Sequence, residues 1–132
     1  MYKLPDFIRS IQLESIGEVS KQKFTGAFRV KVVLTNADQL AIEREYARLT
    51  ARSDDTMSAD NRLMAGTIAE LSIRVLNGPP WYQEAMAGQN MIDKNPLFDL
   101  IVKINDEYKQ WQKELDDVAN SGDKSNVMGS EP

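Results

Sequence analysis

The chain has no cysteine and no histidine in its 132 residues. Without cysteine there is no disulfide, no iron–sulfur cluster and no thiolate zinc site. Without histidine the commonest general base and metal ligand is missing. Long apolar runs are also absent: nothing approaches the roughly 20 consecutive residues that span a bilayer, so no membrane partner is expected. The opening MYKLPDFIRS lacks the apolar core of a signal peptide. Excess positive charge is missing too. The net charge is −4, with 8 basic and 6 acidic side chains over residues 1–50 and 8 basic and 14 acidic over residues 51–132. A duplex-binding protein needs a basic stripe to displace counterions, so no nucleic acid is expected.

What is present is ordinary globular composition, 42% apolar and 27% charged. The length suits one domain with one core. The most strongly patterned stretch is Asn95 to Asn120. Leu97, Leu100, Ile101, Ile104, Tyr108, Trp111, Leu115 and Val118 repeat at the three-four spacing of one helical face. Lys103, Glu107, Lys109, Lys113, Asp116 and Asp117 form the wet face. Asn95 suits an N-cap, and Pro96 suits the first helical position.

Before it, Ile8, Ile11, Leu13 and Ile16 predict a strand over about 9–16, on an imperfect alternation. The next strand alternates cleanly, with Phe24, Phe28, Val30, Val32 and Leu34 on one face and Thr25, Arg29 and Lys31 on the other. Gly26 interrupts it where a bulge or a close neighbour would want a glycine. The two strands predict an antiparallel hairpin, which needs a covering layer to be stable. Thr35 or Asn36 then caps a helix with Leu40, Ile42, Tyr46 and Leu49 inward, ending near Arg52. Ser58 caps a second, more buried helix from Ala59 to about Leu76, stopped by Asn77-Gly78 and Pro79-Pro80. The composition of SGDKSNVMGSEP predicts a disordered tail over 120–132. The fold class is therefore α+β: an N-terminal hairpin packed on a three-helix unit, as a single domain over 1–119.

Candidates for chemistry are few. Asp54-Asp55 and Asp116-Asp117 are neighbours whose side chains diverge, which suits solvated surface. Asn90, Asp93 and Asn95 lack calcium-loop spacing and read as turn and cap residues. No nucleophile elbow or phosphate-cradling loop occurs, so no enzyme, cofactor or metal is expected. The aromatic residues say more. By default the Gly-Pro-Pro-Trp corner folds against the helix that carries Trp111. The functional alternative makes Trp81 and Tyr82 anchors for a protein partner, with Phe24, Arg29 and Lys31 marking an exposed edge of the 24–34 strand.

Three segments carry a resemblance: FTGAFRVKVVLTNADQLAIEREYARL, IAELSIRVLNGPPWY, and Gly88–Leu100 running into the Glu107–Leu115 helix. Together, over roughly residues 20–118, they resemble small proteins of tailed bacteriophages, of tail-assembly-chaperone type. The resemblance implies a non-enzymatic protein that binds the tape-measure protein and aids tail-tube assembly in the host cytoplasm. Its alternative is a structural component of the virion, in the tail, neck or capsid, acting through contacts with neighbouring subunits. Phage proteins are the partners implied, and a homo-oligomer is compatible with either role. The N-terminal hairpin departs from the purely helical members of that group.

Overall fold

The computed structural model describes residues 2–51 and 54–129. Strand β1 (Ile8–Ile16) and strand β2 (Lys23–Lys31) form the expected antiparallel hairpin. Their register sets Ile11 opposite Phe28, Leu13 opposite Gly26 and Ser15 opposite Phe24 on the inner face. The imperfect alternation of β1 resolves in favour of the odd residues. Ile11, Leu13 and Ser15 are buried, while Ile8 and Ile16 point to solvent. On β2, Phe24, Phe28 and Val30 are buried as their alternation predicts, and so is Val32 just past its end.

Helix α1 (Asn36–Thr50) opens with a capping box in which Thr35 and Asp38 each bond the other's backbone. It closes at Ala51, which takes the left-handed conformation. A 3-10 turn spans Asp54–Thr56. Helix α2 (Ala59–Arg74) starts at Ser58, whose hydroxyl accepts from the Asn61 N–H. Its buried side includes Ala65, Thr67, Ile68, Ala69 and Leu71.

The end of α2 differs from expectation. The chain leaves the helix at Val75 and forms a third strand, β3 (Val75–Asn77), antiparallel to β2 through Arg29·Asn77 and Val30·Val75. The hairpin is thus a three-stranded sheet of order β1-β2-β3. Helical spacing cannot reveal this, because the edge of β2 that recruits Val75 lies more than 40 residues away in the chain. Helix α3 (Pro80–Glu84) is a single short turn after the double proline.

Helix α4 (Asn95–Gly129) lies antiparallel to β1 on the inner face of the sheet, with Asp99 near Ser15 and Glu114 near Arg9. It continues past the expected stop at residue 120. Residues 130–132 of the expected tail lie outside the described residues. The core is one cluster between the sheet and two helices. It joins Ile11, Leu13, Phe28, Val30 and Val32 to Ile68, Leu71, Leu97, Leu100, Ile104 and Trp111. The other face of the sheet, with Ser10, Gln12, Glu14, Thr25, Ala27 and Arg29, is open to water.

Candidate interaction surfaces

The Gly-Pro-Pro-Trp corner packs on β2. Its Tyr82 also joins the core cluster that holds Leu97 and Leu100 of the helix bearing Trp111. The ring of Trp81 meets Phe24 at 5.0 Å and Phe28 at 5.7 Å, both edge-on, and Phe28 meets Tyr82 at 5.3 Å. The indole Nε1 donates to the Thr25 carbonyl at 2.8 Å. Trp111 has other company: Phe7 at 5.8 Å edge-on, Tyr108 stacked at 6.0 Å, and the Pro5 carbonyl, to which its Nε1 donates at 3.1 Å. The two tryptophans therefore serve different junctions.

This arrangement sorts the five residues singled out from sequence. Phe24 and Tyr82 are buried and Trp81 is half-buried, all in one aromatic cluster on the inner face. Arg29 and Lys31 lie on the opposite, wet face, and Lys31 Nζ bonds Asp38 at 2.9 Å. That ion pair holds the Asp38 carboxyl below its usual range, by the hydrogen bond from Lys31 above all. The structure brings the first three residues together and sets the last two apart.

The edge of β2 away from β1 is covered over part of its length, which corrects the sequence reading. The bonds Gly17 N–H to Gln22 O and Val32 N–H to Phe7 O fix the parity of the hairpin. Odd residues of β1 bond β2, so the backbone groups of Thr25, Arg29 and Lys31 face away from β1. There β3 takes Arg29, Trp81 takes the Thr25 carbonyl, and Arg74 takes the Lys31 carbonyl at 2.8 Å and the Val32 carbonyl at 3.2 Å. Glu70 steadies Arg74 at 2.7 Å. The same parity turns the backbone groups of Ser10, Gln12 and Glu14 outward along β1. They meet no hydrogen-bonding partner among the described residues. β1 is an open edge of the sheet.

The loop before α4 clasps the β1–β2 turn. The Asp93 carboxylate is buried and accepts from Val19 N–H at 2.7 Å, from Ser20 N–H at 3.0 Å and from the Ser20 hydroxyl. These bonds, the hydroxyl's first, hold the Asp93 carboxyl below its ordinary pKa against the opposing effect of burial. Asn95 does not cap α4. Its amide donates to the Ile16 carbonyl at 2.7 Å and accepts from Glu18 N–H at 3.0 Å. Asp99 accepts from the Ser15 hydroxyl at 2.6 Å. At the other end, Glu114 grips Arg9 with two bonds of 2.8 and 3.0 Å. A cleft of about 600 Å³ lies beside that pair, lined in part by Leu4, Pro5, Asp6, Ile8, Asp117 and Val118. None of these long-range partners carries a local signal in the sequence.

Several large apolar side chains face solvent. Leu40 on α1 and Leu63 on α2 are 58% and 60% exposed, which overturns the inward placement of Leu40 and the core-widening role of Leu63. The cause is architectural. α1 packs chiefly against α2 alone, so only the side of α1 facing α2 gains cover. Ile42, Tyr46, Leu49 and Met64 remain half-exposed. Among the described residues no cluster of three acidic side chains could hold a metal ion, and no helix is long and apolar enough to cross a membrane. No protein-family model, curated protein or solved structure matches the chain.

Proposed function

We propose that the protein is a non-enzymatic assembly protein of the tail-chaperone kind, working by protein–protein contact. The observation that carries this reading is the α1–α2 arm. It presents Leu40, Leu63 and the half-covered Ile42, Tyr46, Leu49 and Met64 on two adjoining helices. An amphipathic client helix laid against such an arm would bury apolar surface on both partners, at about 25 cal/mol per Å² removed from water. A helical tape-measure protein is a client of that chemistry, and the host cytoplasm during assembly is the place for the encounter. The test is a pull-down from infected cells in mid-assembly, beside mass spectrometry of purified particles. Capture of a very long helical phage protein, lost in a Leu40→Asp/Leu63→Asp variant that still folds, supports the reading. Capture that the double variant leaves unchanged overturns it.

A second reading, a structural component of the virion, draws on the open edge of β1, since strand addition is a common way to join subunits. A fixed copy number in purified particles favours it. Absence from particles excludes it.

A further inference from the structure

Strand β1 is nine residues long, and its outward backbone groups at Ser10, Gln12 and Glu14 are unguarded. Natural sheets blunt such edges with lysine, proline, bulges or an overlying loop. Among the residues from Ile8 to Ile16 only the Glu14 charge does this on the outward positions. Yet the strand has a pattern of its own. Its solvent-side residues read Ile8, Ser10, Gln12, Glu14, Ile16, which is nearly symmetric about Gln12.

We propose that β1 pairs antiparallel with β1 of a second copy, on a two-fold axis through Gln12. The result is a continuous six-stranded sheet, β3-β2-β1-β1-β2-β3. In this register Gln12 faces Gln12, where two amides can bond each other. Ser10 faces Glu14 twice, a hydroxyl donor against a carboxylate acceptor. Ile8 faces Ile16 twice, which covers two side chains that are 37% and 61% exposed in the single chain. On the inner face Ile11 meets Leu13 and Arg9 meets Ser15, so the apolar layer runs on across the axis.

Other registers are worse. Centring on Ser10 opposes Asp6 to Glu14, and centring on Glu14 opposes that carboxylate to itself. Centring on Ile11 sets Ile8 against Glu14, and centring on Leu13 sets Ser10 against Ile16. A closed two-fold pairing uses the same edge on both copies and leaves no unpaired copy of it to propagate. Asn95 already occupies the Ile16 carbonyl, so the backbone ladder spans Ser10 to Glu14 and the isoleucines join by side chain. Lys103, Asp106 and Glu107 of α4 line a groove with Ser10, Ile11 and Gln12 beside this edge.

The experiment is sedimentation of the full chain over a range of concentrations, with charge variants on the solvent face. The expected result is a two-fold multiple of 14.9 kDa. Ser10→Glu sets a new carboxylate against the one that Glu14 of the second copy carries, and weakens association at least tenfold. Adding Glu14→Lys restores it, because each opposed pair then joins a carboxylate to an ammonium. Gln12→Pro removes an outward N–H on the axis and leaves every bond to β2 in place, so it yields a folded monomer. Far-ultraviolet circular dichroism checks that each variant folds. A single chain at all concentrations overturns the proposal, and so does a dimer that Ser10→Glu leaves intact.

Discussion

Gly26 and Pro79 touch so closely that a β-carbon on residue 26 would lie 2.7 Å from two ring carbons of the proline. Gly26 also has φ near +148°, a conformation side chains rarely adopt. The glycine that interrupts β2 is thus the seat of the corner that closes the sheet. A Gly26→Ala variant should lose about 2–3 kcal/mol, from backbone strain and displacement of Pro79 together. Urea denaturation checks this. An unchanged midpoint would show that the corner shifts freely.

Tyr82 is buried against Phe28, and its hydroxyl finds no hydrogen-bond partner among the described residues. Burial drives its pKa well above the ordinary phenol value. Removing the orphan oxygen while keeping the ring should help, so Tyr82→Phe should be neutral or more stable by up to about 1 kcal/mol. Tyr82→Ala, by contrast, opens a core cavity at a cost of about 3–5 kcal/mol. A marked loss of stability in the Phe variant would mean that the hydroxyl has a bonded role.

Acid should loosen the clasp on the β1–β2 turn. The folded-state pKa of Asp93 lies below its unfolded value of 3.8. Its contribution is therefore complete above the ordinary carboxylate range and is lost as pH falls below about 4 towards the depressed folded value. Asp38, through Lys31, and Glu114, through Arg9, share the direction and the window. Denaturation midpoints measured from pH 6 to pH 2 should fall on that limb. In Asp93→Asn the fall should be shallower but still present, since Asp38, Glu114 and Glu45, held low by Arg48, remain. A slope identical to that of the parent protein would remove Asp93 from the acid response.

Arg74 bonds two carbonyls at the end of β2 and the carboxylate of Glu70, with a side chain only 12% exposed. Arg74→Ala leaves those acceptors half-buried and unpaired, at about 2–3 kcal/mol. Lysine cannot span three acceptors with a flat fork, so Arg74→Lys should recover less than half of the loss. Amide exchange at Arg29 gives a local readout. Faster exchange there than at Val30, whose N–H faces β1, is expected in Arg74→Ala, because the outward backbone of Arg29 is the part that meets β3.

Much of the fold is legible from local chemistry. The alternation of 24–34 gives a half-buried strand, which the structure ends at Lys31. Thr35 or Asn36 gives the start of α1, and Ser58 gives the start of α2. The Leu97–Leu100–Ile104–Trp111 stripe gives the buried face of α4. Each of these signals lies within one turn or one strand, which is where propensity, capping and periodicity act. That β2 would be the central strand depends on Val75, on Arg74 and on the indole of Trp81, all of which arrive from the far end of α2. That Leu40 would stay exposed depends on α1 having one neighbour where its apolar spacing could have served two. The roles of Asp93 and Asn95 depend on a turn more than 70 residues earlier. The sequence by itself determined the elements and their apolar faces, because those follow from contacts between residues near in the chain. Only the tertiary structure decided which edge is open and which side chains are left uncovered. Both depend on which distant segment arrives to satisfy a backbone carbonyl or bury a ring.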